Sequence, residues 1–309
     1  MSAMFSFVRP DWGRVILKSA SGNGVSGDCA SAEKAGKQHK SAKTNFLIIL
    51  TFGSGSFKLC QDNTFSRKKK RVKTVNGKMN FISPLYRASL IERVADVLAD
   101  ACLENGQIVT AYCPNGTRLK GLSDPQTEIW LAYDSANDKR LHFRWELAAS
   151  GGATVGVDSD IGAALTLEAV NTGALYELSG YRDILPAPEE SSLDLRFVPA
   201  DARYPECFAA IAPVYFKKGV DLLYPDGVYT ANRHVLNGLE AVLNQGGRAV
   251  LLLIAQRIDC LGVKADWTAD GDYVAALKNL YDKGLEIICC GCTVSVHGVW
   301  ISARLPFSF

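Results

Sequence analysis

The sequence predicts an α+β chain of mixed architecture. A basic, disordered extension (1–78) precedes a small β-barrel (79–157) and an α/β domain with a mixed sheet (158–309). Three observations carry this. Charge splits sharply along the chain: residues 1–78 hold 15 Lys and Arg against 4 Asp and Glu, whereas 79–309 hold 19 against 28. Short strand-like runs separated by turn signals fill 79–157. From 158 onward, helix-length and strand-length patterns alternate. At 309 residues the chain is long enough for two domains with a sizeable core.

The extension lacks hydrophobic periodicity over 20–45, where Ser, Gly, Ala and Lys dominate, and this composition reads as disorder. The apolar run Phe46 to Phe52 is far shorter than the roughly 20 residues that span a bilayer. It sits too deep in the chain, and lacks the cleavage site, for a signal peptide. No membrane association and a cytoplasmic location are therefore expected. The basic run Arg67 to Lys73 has three readings: a solvated linker, a nucleic-acid patch or nuclear address, or a segment lying ahead of a translation start at Met79.

In the barrel segment, Gln107 to Cys113 reads as a strand stopped by Pro114-Asn115-Gly116. Glu128 to Tyr133 is a second strand, and Leu141 to Leu147 alternates and carries aromatics. Small barrels of this kind bind single strands by stacking bases on aromatic rings beside basic groups. Trp130, Phe143 and Trp145 are the candidate stacking surfaces, with Arg118, Lys120 and Arg144 as phosphate donors. Core or rim packing is the ordinary role of such aromatics.

In the α/β segment, Ile161 to Val170 reads as a short helix closed near Asn171-Thr172-Gly173. Val228 to Leu243 is helical, with Asp226 ahead of it in the ordinary position of an N-cap. Arg248 to Ala255 is a continuous apolar run, as a strand buried on both faces requires, and Gln256 ends it where α/β sites usually lie. Asp272 to Lys283 is a helix and Leu285 to Cys290 the next strand. Cys289, Cys290 and Cys292 alternate across that strand, so core packing is expected of them rather than a shared metal. Reduced thiols fit a cytoplasm.

Several blocks in order resemble one family. They are Ser83-Pro84-Leu85 with Arg87 to Arg93, Cys113-Pro114-Asn115, Trp145-Glu146-Leu147 and Glu177 to Tyr181. Leu193-Asp194 and Tyr224 to Val228 follow. From Met79 the chain is similar to the sugar fermentation stimulation protein family of bacteria and archaea. That resemblance implies an oligonucleotide-binding (OB) barrel followed by a nuclease-like α/β domain of the PD-(D/E)xK type, and DNA binding. A nuclease of this type needs an acid at the end of one strand, and an acid and a lysine two apart on the next, to hold Mg²⁺ and position water. The first acid is present as Asp194, and Glu177 is where such families often keep another. Where the family has Glu-Val-Lys, this chain has Ala210-Ile211-Ala212.

The resemblance therefore implies a DNA- or single-strand-binding protein, regulatory in role, whose nuclease-like site (Glu177, Asp194, Ala210, Ala212) is vestigial. No catalytic residue and no cofactor are expected. The acidic body predicts weak affinity, because phosphate neutralisation supplies most non-specific binding. Two alternatives stand beside this one. An active Mg²⁺-dependent nuclease with a lysine relocated to Lys217 or Lys218 is the first. The second is an interaction protein in which both activities have decayed. The oligomeric state stays open.

Overall fold

The computed structural model describes residues 47–52, 55–60, 72–75, 78–94, 97–133 and 141–309, with side chains from 79 onward. Strands β1 (Leu47–Phe52) and β2 (Gly55–Cys60) pair antiparallel. β3 (Val72–Val75) and β4 (Lys78–Phe81) form a second hairpin that joins a distant sheet. Three strands thus lie inside the segment expected to be structureless, and β3–β4 runs across the Met79 boundary. The apolar run from Phe46 supplies β1, and β4 finds its partner more than 200 residues along the chain. The disorder expected for 1–46 and the basic run from Arg67 to Arg71 lie outside the described residues.

The barrel follows. β5 (Tyr86–Val94), β6 (Leu98–Leu103), β7 (Ile108–Tyr112), β8 (Glu128–Tyr133) and β9 (Phe143–Ser150) close in the order β9-β7-β6-β5-β8 and back to β9. β10 (Ala153–Gly156) extends β9 as a hairpin. Alternation sets the inside: β7 shows one buried residue at every second position. Ala99, Ala101 and Ala111 point inward and leave the volume that the Trp145 indole fills. Tyr215, from the second domain, completes the same core and donates its hydroxyl to Val157 O at 3.4 Å.

The second domain opens with α1 (Gly162–Asn171), then β11 (Tyr181–Pro186), β12 (Leu195–Pro199) and β13 (Cys207–Pro213). After β14 (Lys217–Lys218) and β15 (Asp221–Tyr224) come α2 (Thr230–Asn244), β16 (Arg248–Ala255), β17 (Gly262–Ala265) and α3 (Gly271–Asp282). β18 (Glu286–Ser295), β19 (Gly298–Leu305) and β20 (Phe307–Ser308) end the chain. The main sheet runs β11-β12-β13-β16-β18-β19-β4-β3, and β14-β15-β17-β20 make a smaller one. β13, β16 and β18 are parallel and central; the flanking strands are antiparallel.

Both faces of β16 are covered, which its unbroken apolar sequence requires. Val250, Leu252 and Ile254 meet α1, while Leu251 and Leu253 meet α2 and α3. The cysteines divide the same way: Cys290 and Cys292 lie on the α1 side and Cys289 on the other. The domains are clamped at Gly156, whose N–H donates to Gln256 O at 2.8 Å. A Cβ there would sit 2.2 Å from Gln256 Oε1 and 3.0 Å from its Cβ, so any other residue would force the Gln256 side chain to move.

Glu168 on α1 is buried beside Met79, whose backbone N–H it accepts. Burial raises its carboxyl from an ordinary 4.5 to about 7, against the opposing effect of that N–H. The folded state therefore binds this proton more tightly than the unfolded chain. Its stabilising share is complete below about pH 4.5 and is lost as pH rises toward 7. Glu168→Gln should gain stability over the wild type between pH 5 and pH 8, on the order of 2 kcal/mol, in paired denaturant titrations. A constant difference across that range would contradict this.

Candidate nucleic-acid interface and nuclease-like site

The loop Asn115–Lys120 carries two of the three expected phosphate donors, Arg118 and Lys120. Asn115 is buried, donates its Nδ2 to Val157 O at 2.9 Å, and accepts the Thr117 N–H at 2.9 Å. Arg93, near the end of β5, donates to Thr117 O at 2.6 Å and to Asn115 O at 2.5 Å. Leu119 then takes a left-handed backbone with φ 47°, costly for a non-glycine residue, and plugs fully into the barrel core. That strained turn sends its two neighbours outward: Arg118 is exposed and Lys120 is half-buried. Lys120 Nζ lies 5.0 Å from the Phe216 ring centroid, a cation–π contact that fixes its direction. A cavity of about 360 Å³ opens beside Arg118, lined also by Glu92, Arg93 and Ser123.

The other predicted contacts are not together. Arg144 is 5% exposed and inside an ion cluster, with Nε 2.7 Å from Asp158 Oδ2 and Nη2 2.9 Å from Asp160 Oδ2. Glu146 lies 3.6 Å from the same guanidinium, and the Tyr112 ring covers it at 5.2 Å. Burial works against its charge, and the three carboxylates outweigh that and hold its pKa above the ordinary value. Arg144 is thus a structural cation, not a phosphate donor. Trp145 is fully buried, its Nε1–H given to Leu147 O at 2.8 Å, and offers no face to a base. Trp130 packs against the core of the second domain. Trp130 and Phe143 are both half-buried, and Phe143 lies at the opposite end of the barrel beside Tyr86 and Tyr133. Neighbouring residues on a strand face opposite ways, so Arg144 and Trp145 could not both have served one surface. That alternation was silent on which face points inward, and on Asp158 and Asp160 waiting outside.

The nuclease-like positions are divided by the sheet. Asp194, Ala210 and Ala212 belong to the α2 side. Glu177 lies on the α1 side, paired with Arg304, which also reaches Cys290 Sγ at 2.8 Å. It is no partner of Asp194. Ala210 is 1% exposed in the cluster that holds Leu193, Leu239 and Leu251. Helix α2 presses down here: a Cβ on Gly238 would lie 2.2 Å from Ser191 O. Asp194 has a backbone task. Its N–H donates to Ala209 O at 2.9 Å, and its Oδ2 accepts the Ile211 N–H at 2.7 Å. The β12–β13 ladder ends at the Leu195–Ala209 pair, so this carboxylate satisfies an amide that the ladder leaves over. Asp194→Ala should therefore cost about 1–3 kcal/mol, and Asp194→Asn clearly less, since an amide oxygen still accepts. Equal losses in urea unfolding would contradict this role.

Two further placements differ from expectation. Tyr229, without a side-chain cap, occupies the N-cap of α2. Asp226 is buried instead, and burial raises its carboxyl pKa. Lys217 donates to Asp259 Oδ2 at 2.7 Å, and Arg257 grips the same carboxylate at 2.6 Å.

A closed five-stranded OB barrel joined to an α/β domain with a mixed sheet defines a two-domain class, and sequence and fold comparisons give it a name. The SfsA N-terminal OB domain matches residues 91–157, and the sugar fermentation stimulation protein RE domain matches 161–298. A sugar fermentation stimulation protein homolog of Geotalea uraniireducens is 33% identical over 225 residues, covering 72% of this chain and 96% of the relative. One from a Jannaschia species is 32% identical over 234 residues, covering 74% and 96%. The solved structure of Pyrococcus furiosus SfsA in complex with Ca²⁺ superposes with a TM-score of 0.68 at 19% identity, covering 74% of this chain and 97% of that one. This chain belongs to the sugar fermentation stimulation protein family. Among the described residues no helix is long and apolar enough to cross a membrane.

Proposed function

We propose that this chain is a non-enzymatic nucleic-acid-binding protein that grips phosphate at Arg118 and Lys120, beside a nuclease-like site without its metal-binding side chains. The observation that carries the reading is the Asn115–Lys120 loop. A strained residue and three hydrogen bonds hold two outward cations in a fixed direction on an OB barrel. Preorganised donors of this kind lose little entropy on meeting phosphate.

The donor set beside Ala210 does not fit a catalytic metal. Two methyl groups supply no oxygen, and Asp194 already serves the Ile211 amide. The Ca²⁺ of the Pyrococcus structure belongs to that protein and is not carried over. A lysine relocated to Lys217 finds no support either, since Lys217 is committed to Asp259, and Lys218 is exposed on β14. No cofactor is assigned. Seven cysteines stand unbridged among the described residues, which fits a reducing compartment such as a cytoplasm.

The purified protein is expected to leave supercoiled plasmid intact with Mg²⁺ or Mn²⁺. Metal-dependent nicking that disappears in Asp194→Ala would overturn the non-enzymatic half of the proposal.

A further inference from the structure

We propose that the end of the barrel remote from the Arg118 loop receives an unpaired nucleobase, in the cleft lined by Tyr86, Tyr133 and Phe143. The proposal rests on the nucleic-acid-binding reading above and extends it from phosphate to base. Tyr86 opens β5, and Arg93, which anchors the Asn115–Lys120 loop, lies near its other end. Seven residues of strand place the two ends roughly 20 Å apart. A single strand bound at both would run along the barrel, with phosphate at one end and a base at the other.

The cleft has the form this needs. Its volume is about 580 Å³. Tyr86 and Phe143 meet at 89° with ring centroids 5.8 Å apart, and Tyr133 leans on Phe143 at 59° and 5.1 Å. With Tyr86 and Tyr133 6.3 Å apart at 68°, the three rings pack edge to face as one cluster, and the outer faces of Tyr86 and Tyr133 are left open to a base. Tyr86 and Tyr133 are 50% and 41% exposed, a large open area for aromatic rings outside a core. Asn105 and Gln107 line the rim, and their amides suit the hydrogen-bonding edge of a base.

Charge selects the occupant. Arg87 lines the cleft between Glu128, at 2.5 Å, and Glu104, at 3.6 Å. Its guanidinium opposes a cation entering the aromatic walls. The two carboxylates oppose a phosphate. A flat, neutral, polar-edged ring satisfies all three groups, and base–aromatic stacking accepts any base. The cleft is then a reader of unpaired strands, because a base inside a duplex exposes no face to it.

The test uses the full chain and three probes: a twelve-residue oligo-dT, its abasic counterpart, and a duplex of the same sequence. Tyr86→Ala with Tyr133→Ala should weaken oligo-dT binding by roughly 5- to 150-fold. The same double change should leave the abasic strand and the duplex unaffected, and Tyr86→Phe with Tyr133→Phe should bind as the wild type does. Unchanged oligo-dT affinity in the alanine variant, with an unchanged melting temperature, would overturn the cleft while sparing the Arg118 site. If the wild type binds none of the three probes, the nucleic-acid reading itself falls. A thymidine titration followed at the Asn105 and Gln107 side-chain amides by NMR then judges the cleft alone: saturable shifts retain it, and their absence removes it.

Discussion

Ala210→Glu is expected to lower stability by roughly 3–5 kcal/mol at neutral pH, the largest loss among the changes considered for this chain. The introduced carboxylate would lie in an apolar cluster at a position 1% exposed, under a helix already in backbone contact with the loop before β12. Burial without a partner charge penalises the ionised form, so the loss should shrink below about pH 5, where a carboxyl can enter protonated. Ala212→Lys on top of it supplies a cation at a half-buried position. It should recover only part of the loss, because the surrounding leucines offer no further hydrogen bonds. The pair would therefore fail as a revived nuclease through the fold before chemistry is reached. Urea unfolding of the single and double variants at pH 5 and pH 7.5 checks this. A double variant as stable as the wild type would show that the position accommodates the two charges.

Arg144→Ala should come close in size, about 3–5 kcal/mol. Asp158, Asp160 and Glu146 converge on this guanidinium, and removing it leaves three carboxylates facing one another at 3–13% side-chain exposure. Tyr112 loses its cationic partner as well. What remains folded should show the same salt dependence of nucleic-acid binding as the wild type, since no phosphate is held there. Thermal unfolding, with binding measured on the folded fraction, separates the two consequences.

The parts of the fold legible in the sequence are those whose patterns report one local fact. Glu128 to Tyr133 and Arg248 to Ala255 form strands over the ranges read from them, because alternation and an unbroken apolar run each fix a burial state. The helices α1, α2 and α3 begin and end within two residues of their signals. The rest depends on partners far along the chain. β4 is stabilised by β19, and nothing near Met79 announces it. Asp226 resembled a cap, but the turn continues to Tyr229 before the helix starts. Glu177 stands close in sequence to Asp194, yet the sheet passes between them. The turn is legible as Pro114-Asn115-Gly116, whereas the device that turns Arg118 and Lys120 outward is a positive φ at Leu119, which side-chain identity does not advertise. The cleft residues Tyr86, Asn105 and Gln107 come from separate strands and turns, and only barrel closure brings them to one mouth.

The most direct test of the central claim is the salt dependence of single-strand binding by the full chain, compared between the wild type and Arg118→Ala with Lys120→Ala. The double variant should bind more weakly at every sequence tried, and its log–log salt slope should be shallower by about one to two units. A variant with the wild-type affinity and the wild-type slope would contradict the claim. It would assign the affinity to other charges, with the basic run from Arg67 to Lys73 the first to test.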